Sequence, residues 1–301
     1  FSLLTALLVQ HFKPLAGRTP WLAPFERYAV WLEGHLNAGR RVQGVLAWLA
    51  AMVSLLAPAI VLYAVAYYVN PVLAWIVNVA ALYLTLRFHD ISDRLDAIQH
   101  ALRQGEIDAA RTRLAAWIGR DVSEYDAGQI GPVAIEQALI RIHRGFFAVV
   151  FWFVVLPGPM GALLYPASLV LADAWSRAEG PFGGFARRAF TVIDWAPQRL
   201  TAISFAVVGD FEDAIYCWRS QAPAWGQPVE AVVLASGAGA LGVRLGDPLQ
   251  EADGIRFRPE LGIGESADAD FLKSAEGMML RALVLWLVVL LLMQLGVWLG
   301  K

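Results

Sequence analysis

From Val45 to Val69 the chain carries no charged residue. A helix rising about 1.5 Å per residue crosses bilayer hydrocarbon with roughly 20 apolar residues, and this run is longer than that. A buried helix of a water-soluble protein seldom reaches such a length without a polar face. Three more apolar runs follow, Val72 to Phe88, Phe146 to Ala172 and Met279 to Gly300, the first of them near the lower limit for a span. Hydrophobic residues make up 58% of the chain and mean hydropathy is +0.52, both above a soluble globular domain. The expected fold is therefore all-α: a polytopic integral membrane protein with four to six membrane helices or half-helices, forming a single membrane domain over 1–301. Its first partner is the lipid bilayer. A formal charge of −2 leaves no basic excess to neutralise phosphates and argues against nucleic acid. Cys217 stands alone, so neither an internal disulfide nor a thiolate zinc site is available. Phe1 to Phe12 reads as a retained apolar helix rather than a signal peptide, lacking a basic leader and a small-residue cleavage site.

Asn70-Pro71 breaks the first two runs into a hairpin, because proline lacks an N–H and clashes with the preceding turn. The hairpin leaves 13–44 and 89–145 on one side. These segments hold Lys13, Arg18, Arg27, Arg40 and Arg41, then, with Arg87 just ahead of the second, Arg94, Arg103, Arg111, Arg113, Arg120, Arg141 and Arg144. An excess of cations marks the cytoplasmic side, and Trp298 with Lys301 suits an interfacial anchor. Within 89–145, Ile91, Leu95, Ile98 and Leu102 recur at helical spacing up to Gly105. Ile107, Ala110, Leu114 and Trp117 do the same up to Gly119, which predicts an amphipathic helical hairpin. Pro157-Gly158-Pro159 interrupts the run 146–172, giving one kinked crossing or a re-entrant pair; such breaks persist at membrane depth only under protein or a wet cavity. From Asp173 the chain turns polar, with a loop region expected over 173–278. Leu200 to Phe211 is too short to cross alone.

Several motifs invite chemistry. Gly237-Ala238-Gly239-Ala240-Leu241-Gly242 satisfies G-x-G-x-x-G, with Ala231 to Ala235 before it as a conceivable strand. However, Gly246-Asp247-Pro248 soon breaks the helix a dinucleotide site needs. No Walker A pattern occurs. His89, Asp90 and Asp93 could ligate a metal, or Asp90, Ser92 and Asp93 could simply cap a helix. Asp210, Glu212 and Asp213 could hold Mg²⁺ or form a solvated loop. His143, between Arg141 and Arg144, suits a cytosolic flank of the next span. Gly180 through Arg187, Arg188, Asp194 and Arg199 sets arginines near loop glycines, where they can clamp phosphate or carboxylate.

In combination these segments resemble the CobD/CbiB family of integral membrane proteins, with a divergent AmpE-like branch. The resemblance rests on Ala110-Arg111, Leu114 and Gly119-Arg120-Asp121; Ile135-Glu136; Phe151-Trp152; and Pro159 through Gly161-Ala162-Leu163-Leu164-Tyr165. It continues with Phe182-Gly183, Ala186-Arg187, Asp194, Pro197, Arg199-Leu200-Thr201-Ala202 and Gly239-Ala240-Leu241-Gly242-Val243-Arg244-Leu245-Gly246, in order over nearly the whole chain.

The family's biosynthetic members join adenosylcobyric acid to aminopropanol or its phosphate, with ATP and Mg²⁺, late in cobalamin synthesis. The resemblance thus implies an amide-forming ligase in the bacterial inner membrane that takes a corrinoid or other anionic ligand. Arg120, Arg187 and Arg199 would serve as anion clamps, and Asp121, Glu136 and Asp194 as bases or metal ligands. Two polar patterns of the synthases are altered here. Glu-Asn and Asp-Gly become Ile140-Arg141 and Arg144-Gly145, and an Asn-Thr…Asp pattern reads Leu169, Val170 and Ala172. A cation where an acid is usual inverts the charge that Mg²⁺ or an amine would meet. The run Phe147 to Leu164 is closer to the AmpE-like branch. The expectations are accordingly a ligase with a degenerate site, a non-catalytic regulatory or ligand-binding protein, or a structural partner in a homo-oligomer or membrane complex.

Overall fold

The computed structural model describes residues 1–13, 20–177, 181–225, 228–251 and 254–299. Arg18, Gly180 and Lys301, named above, lie outside the described residues. Helix dominates, and the chain divides into two compact units.

The first unit comprises 1–90 and 144–197. Its helices are α1 (Ser2–Phe12), α2 (Leu22–Leu36), α3 (Arg41–Val69) and α4 (Pro71–Thr85), with the start of α5 (Phe88–Arg103). Asn70 separates α3 from α4: its Oδ1 accepts the Val72 N–H at 2.8 Å, with Pro71 at the first helical position. The Gln10 amide of α1 donates to the carbonyls of Tyr83 (2.9 Å) and Leu86 (2.8 Å), capping the end of α4. A π-turn (His143–Phe147) opens into α8 (Ala148–Val155). After the Pro157-Gly158-Pro159 break the chain turns back into α9 (Met160–Ala174), with Gly161 pressed on the Trp152 carbonyl. Of the two alternatives for 146–172, the structure therefore has a helical hairpin. Trp175, fully buried, donates its indole N–H to the Ala29 carbonyl at 2.9 Å and ties α9 to α2 within a core that includes Phe25, Leu32, Met52 and Phe182.

The second unit comprises 91–143 and 198–301. The two stretches of helical spacing read from the sequence are helix, as most of α5 and α6 (Ile107–Ile118), the second ending at Gly119. Residues 127–142, expected within the same insert, instead form a third helix, α7 (Ala127–Ile142). A box between Asp126 and Gln129 caps its start, and Ile135, Ala138 and Leu139 are fully buried.

Helices also occupy most of the expected loop region 173–278. α10 (Phe182–Val208) passes through the Leu200–Phe211 run, followed by α11 (Phe211–Ser220) and α12 (Pro228–Leu241). Ala231 to Ala235 is thus helix, not strand, and Gly237 and Gly239 lie inside α12. Among the described residues only short pairs of strand form: β1 (Val243–Arg244) with β4 (Glu265–Ser266), parallel, and β2 (Leu249–Glu251) with β3 (Gly254–Arg256), antiparallel. α13 (Ala269–Leu299) closes the unit. Among the described residues four helical stretches are long and apolar enough to cross a membrane: Arg41–Val69, Pro71–Arg103, Ala127–Val155 and Ala269–Leu299.

Candidate functional site

Asp126 starts α7 in the register that turns Glu136 inward, ten residues on. Glu136 is only 4% exposed. A carboxylate is held at such depth only if its oxygens are matched, and both are. Oε2 pairs with Arg258 Nη1 at 2.6 Å, and Oε1 accepts the Gly246 N–H at 3.2 Å. Arg258 also donates from Nε and Nη2 to the Asp247 carbonyl, at 3.2 and 2.9 Å, and its guanidinium lies 5.7 Å from the Trp225 ring centroid. This fixes Gly246 and Arg258 on α7. The loop is clasped at its base by paired backbone hydrogen bonds between Leu245 and Leu261, and Gln129 binds the Pro248 carbonyl at 2.9 Å. Gly246 sits at φ +85 with the Pro259 carbonyl and the Trp225 ring against its Cα, where a side chain would be expelled.

Around this buried pair opens a cavity of about 510 Å³. Its charged lining is Arg120, Arg256 and Arg258 against Glu136 and Glu230; Trp225, Phe257 and Ile140 supply apolar wall. Arg141, next to Ile140, donates to the Trp117 carbonyl at 2.7 Å and lies 5.6 Å from that ring's centroid. Ile140 is therefore apolar cavity wall and Arg141 a helix-to-helix tie.

Of the residues expected to act together, the structure brings only Arg120 and Glu136 into this cavity. Asp121 is exposed beside Arg120 and is not part of the lining. It caps a turn by accepting the Ser123 N–H at 2.9 Å, and hydrogen bonds from the Ser123 backbone and hydroxyl hold its carboxyl below the usual range. Asp194 is fully buried in the first unit and accepts the Tyr165 hydroxyl at 2.8 Å. Arg187 and Arg199 share α10 twelve positions apart, about 18 Å at helical rise, too far to grip one phosphate together.

His143, expected as a cytosolic flank, is buried, with Nδ1 2.9 Å from the Thr201 hydroxyl. Asp210 caps α11, accepting the Asp213 N–H at 3.0 Å, which accounts for the acidic run there. Among the described residues no group of three His, Cys, Asp or Glu side chains is placed to hold a metal. A second cavity, of about 640 Å³ in the first unit, is lined by Glu26, Arg87, Asp173 and Ser176, and by Val170 of the second altered pattern.

Reasoning from sequence missed Arg256, Arg258, Trp225 and Glu230. Arg258 lies 122 positions from Glu136, in a segment with no motif. The signal available was a buried-type acid on an apolar helix, which demands a cation from elsewhere.

Four membrane-competent helical stretches on an almost strand-free scaffold define an all-α polytopic integral membrane protein. The model of the CobD/Cbib protein family matches residues 8–297, and the chain belongs to that CobD/CbiB family. It is 34% identical over 297 residues to the cobalamin biosynthesis protein CobD of Stutzerimonas stutzeri, covering 96% of each chain. It is also 34% identical over 240 residues to the CobD of Chromobacterium violaceum, covering 79% of this chain and 77% of the relative. The cobalamin biosynthesis protein CbiB of Salmonella arizonae is 24% identical over 236 residues, at 75% and 73% coverage. No solved structure matches.

Proposed function

We propose that this protein is an amide-forming ligase of cobalamin biosynthesis in the bacterial inner membrane, joining a corrinoid carboxylic acid to an aminoalcohol or its phosphate at the expense of ATP. The observation that carries this reading is the cavity of the second unit, where Arg120 and Glu136, both marked by the family resemblance, line one space with two further arginines. An amide bond forms when ATP transfers a phosphoryl or nucleotidyl group to the acid's carboxylate oxygen, the amine attacks the acyl carbon and loses a proton, and the phosphate departs with that oxygen. Guanidinium groups favour that process by binding anionic reactants and by neutralising charge that develops on oxygen. In this reading Mg²⁺ would arrive with the phosphates of ATP, and the arginines supply the positive charge of the cavity wall.

The test is an amidation assay on the protein purified and reconstituted in lipid, with adenosylcobyric acid, aminopropanol or its phosphate, ATP and Mg²⁺. ATP-dependent appearance of the amide is expected, together with loss of at least about tenfold in Arg120→Ala, the scale of one charge-assisted contact. Absence of product with every amine, alongside an active relative from Stutzerimonas stutzeri, would remove the ligase.

A second reading, a ligand-binding protein that performs no chemistry, has one observation in its favour. Arg141, at a position where the synthases are polar but uncharged, is committed to the Trp117 carbonyl and ring. Corrinoid binding without turnover in the same assay would select it.

A further inference from the structure

The last turns of α13 carry a single amide that the fold leaves unmatched. Residues 291–299 are exposed, and Gln294 makes no hydrogen bond among the described residues. Arg281 is the last charged residue of the helix. Gln294 follows it by thirteen positions, about 20 Å at helical rise, which sets it inside hydrocarbon about 30 Å thick. Lipid covers the apolar faces of α13 but offers an amide nothing, and a polar group left unmatched at that depth is costly.

Gln294 also falls on a seam. Val284, Leu287, Leu291, Gln294 and Trp298 follow one another at alternating steps of three and four, the spacing of the two contact positions of a heptad. Leu287 is half-buried and the other four are exposed, so α13 keeps this stripe largely clear of its own unit. A different stripe packs inward: Met279 and Ala282 are buried, and Trp286 donates its indole N–H to the Ser204 hydroxyl at 2.7 Å.

Copies of one membrane protein insert with the same orientation. A two-fold axis relating two of them therefore runs along the membrane normal and sets their α13 helices parallel. Gln294 of each copy then lies at the depth of its counterpart. An amide both donates and accepts, so two of them satisfy one another across the axis. Helices in lipid gain no hydrophobic association, which leaves packing and such hydrogen bonds to select the partner. One polar residue in an apolar seam fixes its register. A partner of different sequence would need a polar group at the same depth, whereas a second copy has one by construction.

We propose that this stripe of α13 is the interface of a homodimer within the membrane, closed by a hydrogen bond between the two Gln294 amides. The interface is independent of what the cavity of the second unit binds.

The test is disulfide cross-linking of the full chain in lipid vesicles. Cys217, the one native thiol, is fully buried, so the unaltered protein should give no cross-linked dimer on oxidation. Leu291→Cys and Trp298→Cys place a thiol on the seam and should cross-link. Val289→Cys and Leu292→Cys, on other faces of the helix, should not. Energy transfer between donor- and acceptor-labelled copies, followed as the protein is diluted in lipid, gives the midpoint of dissociation. Gln294→Leu should shift that midpoint about tenfold toward dissociation, the scale of one interhelical hydrogen bond, while Gln294→Asn, which keeps the amide, should stay near the parent. Gln294 has no hydrogen-bond partner to lose within the chain, so both variants should melt as the parent does.

No disulfide at either seam position would overturn the proposal, as would equal yield from all four thiols, the mark of random collision. So would a midpoint indifferent to Gln294→Leu, which would leave the amide to water at the membrane surface. Oxidised in native membranes, the seam thiols should again join two copies; capture of a different polypeptide alone would assign the stripe to that partner and remove the homodimer.

Discussion

At the scale of single residues, burial turns familiar letters into unfamiliar roles. Gly237, Gly239 and Gly242 spell a dinucleotide motif, but packing explains the first two and a left-handed backbone, φ +65, the third. Gly237 meets the Leu139 side chain, Gly239 lies against the α11 backbone at Asp213 and Ala214, and Gly242 ends α12. Alanine normally favours a helix over glycine by about 1 kcal/mol; at Gly239 its methyl would instead collide with main chain. Gly239→Ala should lower stability by about 1–3 kcal/mol, read as an earlier midpoint in thermal unfolding monitored by circular dichroism. Cys217, fully buried on α11, is a second case. Burial first, then the nearby Asp213 charge, pushes its thiol up to about 11. The thiol should resist maleimide at pH 7 in the folded protein and react once the protein is denatured. Because the folded value lies above the usual 9.0, this group leaves stability untouched below about pH 9. It withdraws stability as pH rises from there to about 11, which an alkaline unfolding series on Cys217→Ala would reveal by a flatter decline.

At the scale of elements, breaks were legible and continuity was not. Asn70-Pro71 and Pro157-Gly158-Pro159 interrupt helices for local reasons that any reading of the chain detects. Asn70→Ala should remove the cap on α4 and cost about 1 kcal/mol, measured by the same melting experiment. α10 was illegible for a physical reason. Its buried positions include Asp194, Gln198, Thr201 and Ser204, so the inward stripe does not read as apolar, and Gly183, Gly184 and Pro197 resemble loop punctuation. Tertiary partners, Tyr165 for Asp194 and His143 for Thr201, make two of those polar groups acceptable inside. The candidate site divides the same way. Arg120 and Glu136 emerged through resemblance, whereas Arg256 and Arg258 required the loop to fold back onto α7. Glu136→Ala should leave Arg258 buried and uncompensated and cost about 3–5 kcal/mol. Faster hydrogen exchange over 245–261 would show it, and unchanged exchange there would contradict the proposed tie.

At the scale of the whole molecule, the four membrane-competent stretches are not equivalent. Within their most apolar windows, 17% of residues are buried in Arg41–Val69 and 11% in Ala269–Leu299, against 61% in Ala127–Val155. The first two expose broad apolar surface that only lipid can cover, while the third is largely enclosed by protein. A charge on the exposed face of α13, such as Val289→Lys where the residue is 46% exposed, should disfavour insertion by about 3 kcal/mol. A glycosylation-based insertion assay would register this as a reduced inserted fraction.

The sequence by itself determined that these helices belong in lipid, where most of them break, and which family the chain resembles. Those properties depend on run length, side-chain polarity and order along the chain, all of which are local. Only the tertiary structure decided which apolar stretch is enclosed by protein, how the polar residues of α10 become interior, and which charges meet across the cavity of the second unit. Those outcomes depend on contacts between residues well separated along the chain, 29 positions for Tyr165 with Asp194 and 122 for Arg258 with Glu136. No periodicity records them, because the energy that selects them, matching of buried charge with buried charge, exists only once the chain has closed.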